Sequence, residues 1–558
     1  MKFLTLTTSL SIIVSINALP TSFGFWKNWF NLGEELAQEV IMDDISDQFI
    51  NNDENEIENN DNNNDNNNDN NLIIDGVIDE TVYNSLPEID TESFQSLINE
   101  KGLRSRAEDL FEIAQRSIGK YDHPTRVIGS PGHWGTIGYI ISEIKKLKGY
   151  YNVKTQSFKA LDGKVKSFSL LIDGVEPKSL SPFSLTPPTA DGKPAHGNLV
   201  LVDDFGCKPD NFPEFTKGNI VLIKRGECAF GDKSRNAGIA GALGAIIYDD
   251  EPVRGTLGNP TGKEVATVSV AKKDVEKYIE KLSKDPKYAF ETTLYVDSYV
   301  KYIKTLNVIA DSVFGDHDNI VSLGAHSDSV AEGPGINDDG SGTISLLEVA
   351  KHLTQFKLNN AVRFAWWAAE EEGLLGSTYY AEHLTAEENS KLRLFMDYDM
   401  MASPNYEYQV YDANNKDHPN GSGNLKDLYI DWYTSHGLNY TLTPFDGRSD
   451  YVGFIENGIP GGGIATGAEG VKDAKGQEKF GGKVGEWFDP CYHQLCDNLD
   501  NPDYEAWVIN TKLIAHSVAV YAKSFEGFPK REPKKEVASA SNSEKPNEFI
   551  YRGSKLIM

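Results

Sequence analysis

Beyond residue 300, short apolar runs alternate with stretches of helical periodicity. Val321-Ser-Leu-Gly-Ala325 and Val362-Arg-Phe-Ala-Trp-Trp-Ala-Ala369 have the length and composition of buried strands, and residues 344–353 between them have the pattern of an amphipathic helix. Residues 394–400 predict a further strand. Strands that alternate with helices build a largely parallel or mixed sheet, because each helix returns the chain across a face of the sheet. The predicted fold class is therefore α/β, a mixed sheet flanked by helices.

A different pattern fills residues 167–298. Short strand-like runs, such as 199–202 and 220–223, are separated by Gly, Pro and Asp, which is typical of a β-rich module. Residues 93–166 instead contain two stretches with helical spacing of apolar residues. We therefore expect 93–166 and 299–527 to be the two parts of one α/β domain, with the β-rich module inserted between them.

Both ends of the chain differ in composition from the middle. A positively charged start, a largely apolar stretch and the small residue Ala18 predict a secretory signal peptide over residues 1–18. Residues 19–92 predict a pro-segment or a disordered acidic region, because 51–71 is almost entirely Asn, Asp and Glu and cannot bury enough surface to offset its ordering entropy. The polar residues 528–558 predict a flexible tail.

Charge and hydropathy restrict the possible partners. A formal net charge of −29 argues against nucleic acid, since phosphate binding requires clustered Lys and Arg. The amino-terminal apolar stretch falls short of the roughly 20 residues that a spanning helix needs, and no later segment is apolar enough. We expect a protein without a transmembrane anchor that enters the secretory pathway and resides in a vacuole lumen or outside the cell.

The four cysteines fit an oxidising compartment. Their proximity in sequence predicts two disulfides, Cys207 with Cys228 and Cys491 with Cys496, although four cysteines allow three connectivities. Two N-glycosylation sequons are also consistent with secretion and begin at Asn420 and Asn439.

The first candidate site follows the strand that ends in Gly324-Ala-His326. An imidazole at the carboxyl end of a strand lies where open α/β sheets bind ligands, and Asp328 is placed to orient it through its other nitrogen. A glycine-rich loop then returns Asp338 and Asp339 toward the same edge. A histidine near acidic residues is more often part of a surface loop, so this motif alone leaves metal binding open.

Three further segments add carboxylates and a second imidazole. The next strand is followed by glutamates 370–372, which is unusual because a buried charge must be paired or bound to metal. The alternative is a solvated loop or a helix start, where Glu is also favoured. Asp399 follows another strand, and His493 lies in the short loop between Cys491 and Cys496.

Taken together and in this order, these motifs resemble the aminopeptidase Y family of co-catalytic zinc exopeptidases, over roughly residues 100–525. The inserted module resembles a protease-associated domain, through Gly218-Asn-Ile-Val-Leu-Ile-Lys-Arg-Gly-Glu-Cys228 and Gly244-Ala-Ile-Ile-Tyr248. The first resemblance implies a zinc exopeptidase fold and an enzyme that releases amino-terminal residues from peptides with a free amino terminus. The second implies a non-catalytic lid or substrate-access module.

The resemblance also implies two zinc ions and their ligands. His326 and Asp399 would bind one zinc ion, and Glu371 and His493 would bind the other. Asp338 would bridge both ions.

Further roles follow from the same resemblance. Glu370, which directly precedes the ligand Glu371, would be the general base, although a shift of one residue along the three glutamates would reassign both. Tyr492 is a candidate donor to the oxyanion. Arg448 matches a substrate-contacting position, with a surface salt bridge as the alternative, and Asp399 would help to hold the substrate's α-ammonium group.

Two details of the loops are expected from relatives. The peptide after the bridging aspartate is commonly cis, which predicts a cis bond between Asp338 and Asp339. Secreted relatives often have an aromatic residue in the loop that corresponds to residues 463–467, whereas this chain has Ile464 and Ala465. A differently shaped pocket for the first residue follows, so a preference for leucine is not implied.

Other functions compete with a zinc aminopeptidase. A related dizinc carboxypeptidase would carry a membrane anchor and a helical dimerisation region, which we do not expect here. A non-catalytic, receptor-like relative would not be expected to retain the ligand set together with Glu370. A glutaminyl cyclase would use one zinc ion. Release of amino-terminal residues is therefore the favoured hypothesis.

Overall fold

A computed structural model of the protein describes residues 80–253, 255–258 and 260–531. The predicted signal peptide, the acidic run at 51–71 and nearly all of the predicted tail lie outside these residues. Within the described part of the chain, no helix is both long and apolar enough to cross a membrane.

Several helices, including two that cover the sheet, begin at residues whose side chains accept a free backbone N–H group. Ser130 accepts the N–H of His133, with Pro131 in the first turn, and Asp503 accepts the N–H of Ala506. In chain order the helices are α1 (Glu80–Asn84), α2 (Thr91–Gln95), α3 (Glu100–Gln115), α4 (Ile118–Tyr121), α5 (Pro131–Lys145), α6 (Phe230–Ile239), α7 (Lys272–Lys284), α8 (Gly340–Leu353), α9 (Leu375–Glu382), α10 (Ala386–Lys391), α11 (Ser422–Ser435), α12 (Tyr451–Glu456), α13 (Ala474–Phe480) and α14 (Tyr504–Lys523).

The strands are mostly short, with two long exceptions. They are β1 (Tyr151–Ile172), β2 (Ser181–Pro182), β3 (Ala195–Leu201), β4 (Ile220–Lys224), β5 (Gly244–Asp249), β6 (Thr267–Ala271), β7 (Glu291–Ser312), β8 (Asp316–His326), β9 (Asn360–Trp367), β10 (Leu392–Tyr398), β11 (Gln409–Tyr411), β12 (Thr441–Thr443) and β13 (Gly461–Ala465). They pair in the order β12-β11-β13-β10-β8-β9-β7-β3-β4-β5-β6-β2, with β1 on β7.

The centre of the sheet is the part that matters for the site. Strand β8 lies between β9 and β10 and pairs in parallel with both, while β7 pairs with β9 in antiparallel orientation. One face is covered by a core that includes α3, α5, α8 and α14, and the other by α9 and α12. The mixed sheet with helices on both faces is confirmed. Burial on both faces explains why these strands are almost continuously apolar.

The inserted module contains more helix than its sequence pattern predicted. Strands β3 to β6 are parallel neighbours; helix α6 lies between β4 and β5 along the chain, and helix α7 follows β6. Strands β1 and β7 form one antiparallel ladder, which runs from the pair Tyr151–Ser312 to the pair Ile172–Thr292 and contains one shift in register. The predicted boundaries at 166/167 and 298/299 therefore fall inside one long ribbon, since no turn residue interrupts either strand there.

Packed structure begins earlier than residue 93, where the sequence analysis placed it. Tyr83 is buried, its hydroxyl accepts the N–H of Leu358, and its ring stacks on Phe314 at 3.6 Å between centroids. At the other end, Phe528 is buried and Arg531 donates to Asn389, so the first residues of the predicted tail are also packed. Tyr83 and Ile89 anchor the first of these ends, and Phe528 and Arg531 anchor the second.

Candidate active site

Strands β8 and β10 bring two of the predicted ligands to the same edge of the sheet. His326 is the last residue of β8, and Asp399 directly follows β10. Because these strands are parallel neighbours, their carboxyl ends lie together, and His326 Nε2 is 3.7 Å from Asp399 Oδ1. Asp328 lies 3.7 Å from the other ring nitrogen of His326, on the side that the sequence predicted.

The glycine-rich loop delivers one aspartate to the site and uses the next to hold the loop. The peptide bond between Asp338 and Asp339 is cis, as predicted. Asp339 accepts the N–H groups of His326 (3.1 Å), Gly342 (2.8 Å) and Met400 (3.1 Å), and thereby caps α8 between the two strands. This cap starts α8 at Gly340, earlier than the apolar pattern suggested. A Cβ at position 342 would overlap the carbonyl oxygen of Tyr398, so only glycine fits there.

Asp338 joins two groups of side chains. Its Oδ1 is 3.2 Å from His326 Nε2, and its Oδ2 is 3.1 Å from His493 Nε2. Two triads result, His326–Asp338–Asp399 and Asp338–Glu371–His493, each with its ligand atoms close enough to hold one cation. Four tetrahedral zinc ligands at about 2.0–2.1 Å from the metal stand about 3.3 Å apart, which is close to the measured separations.

The three consecutive glutamates have different positions. Glu371 Oε2 lies 3.1 Å from His493 Nε2, whereas Glu370 Oε2 is 4.0 Å from His326 Nε2 and lines the cavity in front of the triads. Asp328 accepts the backbone N–H groups of both residues at 3.3 Å and so holds this turn beneath the site. Glu372 is more exposed than either neighbour. Glu371 is therefore a member of a triad, whereas Glu370 lies beside the triads.

His493 lies on a loop rather than on a strand. The Cys491–Cys496 disulfide closes this loop, and Cys207–Cys228 forms the second predicted bridge, in the inserted module. The Tyr492 ring stacks on the imidazole of His493, with 3.8 Å between ring centroids, and Tyr492 also lines the cavity. The disulfide and the stacked ring restrict where the second imidazole can lie.

The site has more negative than positive charge, and this sets its titration. Burial would lower the pKa of His493, but the carboxylates of Glu371 and Asp338 raise it to about 10. Burial opposes ionisation of Asp338, yet His326 and His493 keep the pKa of that carboxyl below its usual range. Burial, and then the nearby Glu371 and Asp399, raise the pKa of Glu370 well above that of a free carboxyl. Groups that bind protons this tightly also attract metal cations, and a metal ion that binds them displaces the protons.

A cavity of about 260 Å³ opens in front of the triads. Ala465 lines it, whereas Ile464 packs into the main core, so only one of the two loop residues noted in the sequence faces the cavity. Arg448 also lines it and forms an ion pair with Glu469 at 2.9 Å. Every lining residue belongs to residues 338–493, and none of the described residues of the inserted module contributes to this wall.

Some residues that hold the site have no signature in the sequence. The fully buried guanidinium of Arg126 donates to the carbonyl oxygens of Ser327, Pro334 and Gly335, at 2.5, 2.8 and 2.6 Å, and so fixes both ends of the loop between His326 and Asp338. These bonds go to backbone atoms, which every residue has. No pattern of side chains could have identified Arg126.

Ser449 is a second such residue. Its hydroxyl donates to Asp399 Oδ2 at 3.0 Å, which leaves Oδ1 of that carboxylate facing His326.

The two N-glycosylation sequons stay predictions. Asn420 and Asn439 are both exposed.

Comparisons with known proteins indicate the family of this chain. Residues 307–518 match the model of peptidase family M28, and residues 195–278 match that of the PA domain. Aminopeptidase Y of Saccharomyces cerevisiae is 54% identical over 490 residues, which cover 85% of this chain and 88% of the relative. Leucine aminopeptidase 2 of Arthroderma otae is 42% identical over 469 residues, which cover 82% and 92%.

Solved structures give the same result for the fold. An aminopeptidase from Aneurinibacillus sp. strain AM-1 superposes with a TM-score of 0.64 at 25% identity, covering 80% of this chain and 98% of that protein. A zinc aminopeptidase from Bacillus subtilis superposes with a TM-score of 0.55 at 26% identity, covering 78% and 98%.

Proposed function

This chain belongs to peptidase family M28 and is a zinc-dependent aminopeptidase, and from that premise we propose how its site works. Two zinc ions would be held there. His326, Asp338 and Asp399 would hold one ion, and Asp338, Glu371 and His493 would hold the other. The substrates would be peptides with a free amino terminus.

The observation that carries this proposal is the position of Asp338 between two imidazoles, with one carboxylate oxygen toward each. The donor set also fits a metal. His326 Nε2 and Asp399 Oδ1 are buried without a hydrogen-bond partner in the described chain, and such atoms are costly unless a cation binds them. Imidazole and carboxylate are the ligands that zinc accepts in catalytic sites.

The zinc ions, when bound, supply Lewis acidity and a water molecule of lowered pKa. Glu370 lines the cavity beside both triads and would take the proton from that water as it attacks the peptide carbonyl. The same carboxyl would then give the proton to the departing amine. Tyr492, which also lines the cavity, would donate to the carbonyl oxygen as it gains negative charge.

The acidic groups at the cavity also account for the choice of peptide end. Asp399 and Glu370 would bind the α-ammonium group of the substrate, so a blocked amino terminus would lose that attraction. Arg448 would contact the substrate from the cavity wall, where the ion pair with Glu469 fixes the direction of the guanidinium group.

The location of the protein is part of the same proposal. Two disulfides and two exposed sequons suit the secretory pathway, and the similarity to aminopeptidase Y favours a vacuole lumen over the extracellular space.

The test is metal analysis together with hydrolysis of amino-blocked and unblocked peptides by the mature protein and by Glu370→Gln. We expect two zinc ions per chain, cleavage of unblocked peptides only, and a loss of about 1,000-fold in kcat for Glu370→Gln with both zinc ions retained. The matched control is Glu372→Gln, two residues away, which should keep kcat within about threefold. Equal cleavage of blocked and unblocked peptides would refute the proposal, and undiminished kcat in Glu370→Gln would refute the assignment of the base.

A further inference from the structure

A buried polar network lies beneath the loop that carries His493, and the proposed mechanism does not use it. Its members are Asp489, Asp497 and Asn501, which flank that loop, and Asn337, which directly precedes Asp338. Asp489 and Asn337 are fully buried, and Asp497 is 1% exposed. Buried polar groups at this density need a reason.

Asp497 connects the two loops that carry ligands. Its Oδ1 accepts the backbone N–H of Asn337 at 2.9 Å, and its Oδ2 accepts the N–H of Asp338 at 3.0 Å. The backbone N–H of Ile336 donates to the carbonyl oxygen of Asp497 at 3.1 Å. A residue four positions after His493 therefore fixes the backbone of Asp338.

Asn501 and Asp489 complete the connection. The amide of Asn501 donates to Asp497 Oδ1 at 2.9 Å and to Asp489 Oδ1 at 3.1 Å. Asp489 in turn accepts the N–H of Cys491 at 2.8 Å and the side-chain amide of Asn337 at 2.7 Å. The segment around His493 is thus tied to the Asp338 loop on both sides.

This arrangement is costly if stability is its only purpose. Among the described residues, neither Asp489 nor Asp497 forms an ion pair with Lys, Arg or His, although each is buried. A buried carboxylate without a cation is held by hydrogen bonds alone, and apolar residues of similar size are often as stable or more stable. The bonds of Asp497 end on the backbone of a ligand residue, which suggests that the geometry of the site is what they maintain.

We propose that Asp497 is a positioning residue for the zinc ion held by Asp338, Glu371 and His493. It sets the separation of Asp338 Oδ2 and His493 Nε2, which is 3.1 Å. The zinc ion on His326 and Asp399 depends less on Asp497, because β8 and β10 hold those two ligands. The inference rests on the proposed function.

The test is zinc binding to full-length Asp497→Asn, measured by competition with a chromophoric chelator. Asparagine has the same shape, but its amide nitrogen would face one of the two backbone N–H groups, so at least one bond is lost. We expect the affinity for one zinc ion to fall about 10–100-fold while the other changes less than about threefold. In a His493→Ala background, which removes the second site, Asp497→Asn should change the affinity for the remaining zinc ion less than about threefold.

Asp503→Asn is the matched control. Asp503 is six residues away and caps α14 through the N–H of Ala506, and asparagine caps equally well. Asn501→Ala is a second variant that weakens the same connection if Asp497→Asn does not fold, and it should also lower the affinity for one zinc ion.

Two results would overturn the inference. The first is wild-type affinity for both zinc ions in Asp497→Asn and Asn501→Ala. The second is an equal loss for both ions, or the same loss in the His493→Ala background, since either would mean a general structural role. A wild-type protein that binds fewer than two zinc ions would instead contradict the proposed function, so the two failures are distinguishable.

Discussion

The two triads share Asp338 but are built differently. In the first, His326 ends β8 and Asp399 follows β10, so hydrogen-bonded neighbouring strands set their separation. In the second, Glu371 lies on a turn and His493 on a loop closed by a disulfide. The side chain of His326 is 1% exposed and that of His493 is 20% exposed. One position is part of the sheet, and the other depends on cross-links between loops.

This difference predicts unequal consequences when either imidazole is removed. His326→Ala and His493→Ala should both lower kcat/KM at least about 1,000-fold, because each removes a ligand of a site that needs both ions. His326→Ala should also lower the free energy of unfolding more, since it leaves the fully buried Asp328 without its imidazole partner, whereas Asp338 keeps His493. Denaturant unfolding and zinc analysis measure the two effects.

An equal loss of unfolding free energy in the two variants would contradict the comparison. His133→Ala is not suitable as a control, because His133 is buried and its ring contacts Ser327, which directly follows His326. His196→Ala, at an exposed position on β3 of the inserted module, should change neither quantity.

The two disulfides sharpen the comparison, because they should affect different properties. Removing Cys207–Cys228, with a sequence separation of 21, should cost about 3 kcal/mol of unfolding free energy, and removing Cys491–Cys496, with a separation of 5, about 2 kcal/mol. Only the second should weaken zinc binding, since it closes the loop of His493.

Double Cys→Ser variants of each pair serve as controls for one another. Chelator competition measures the zinc affinity of both variants, and thermal unfolding measures their loss of stability. Weaker zinc binding after loss of the bridge in the inserted module would argue that the two regions are more tightly coupled than the structure indicates.

An effect no larger than the loss of the Cys491–Cys496 bridge is expected from pH, through His133, which lies beside the residue that follows β8. His133 is fully buried, its ring contacts the hydroxyl of Ser327 at 3.3 Å, and burial lowers its pKa to about 4. Between about pH 6.5 and pH 4 the unfolded state binds a proton that the folded state does not, so stability is lost as pH falls. From pH 7 to pH 5 the loss from His133 should be about 2 kcal/mol.

His133→Gln should flatten that part of the pH profile in denaturant unfolding of the zinc-loaded protein. The substitution keeps a polar side chain of similar reach but removes the titration. A profile as steep as that of the wild type would show that another group causes the loss of stability.

The sequence was informative where side-chain chemistry directly follows an apolar strand. His326, Asp399 and the glutamates at 370–372 all stand at such places, and the structure brings them to one edge of the sheet. The loop residues Asp338 and His493 could be placed only through the family resemblance, since neither follows a strand. Burial patterns alone would have left both as ordinary polar residues.

Other parts could not be predicted, for physical reasons. The long β1–β7 ribbon crosses the predicted domain boundaries because pairing depends on partners more than 100 residues apart. The packed residues around Tyr83 precede the predicted start of the fold because a few buried side chains, Tyr83 and Ile89 among them, are enough to anchor a short polar segment. Ala465 and Ile464 are neighbours in sequence, yet only Ala465 faces the cavity, since alternate residues of β13 point to opposite faces.

By itself, the sequence determined the order of elements, the α/β class and the residue types available at the edge of the sheet. These follow from local periodicity and from polar residues that interrupt apolar runs. The tertiary structure decided which atoms meet: one oxygen of Asp338 toward each imidazole, and Asp497 on the backbone of Asp338. Hydrogen bonds to backbone atoms and contacts across long sequence separations depend on the fold, so only the structure could reveal them.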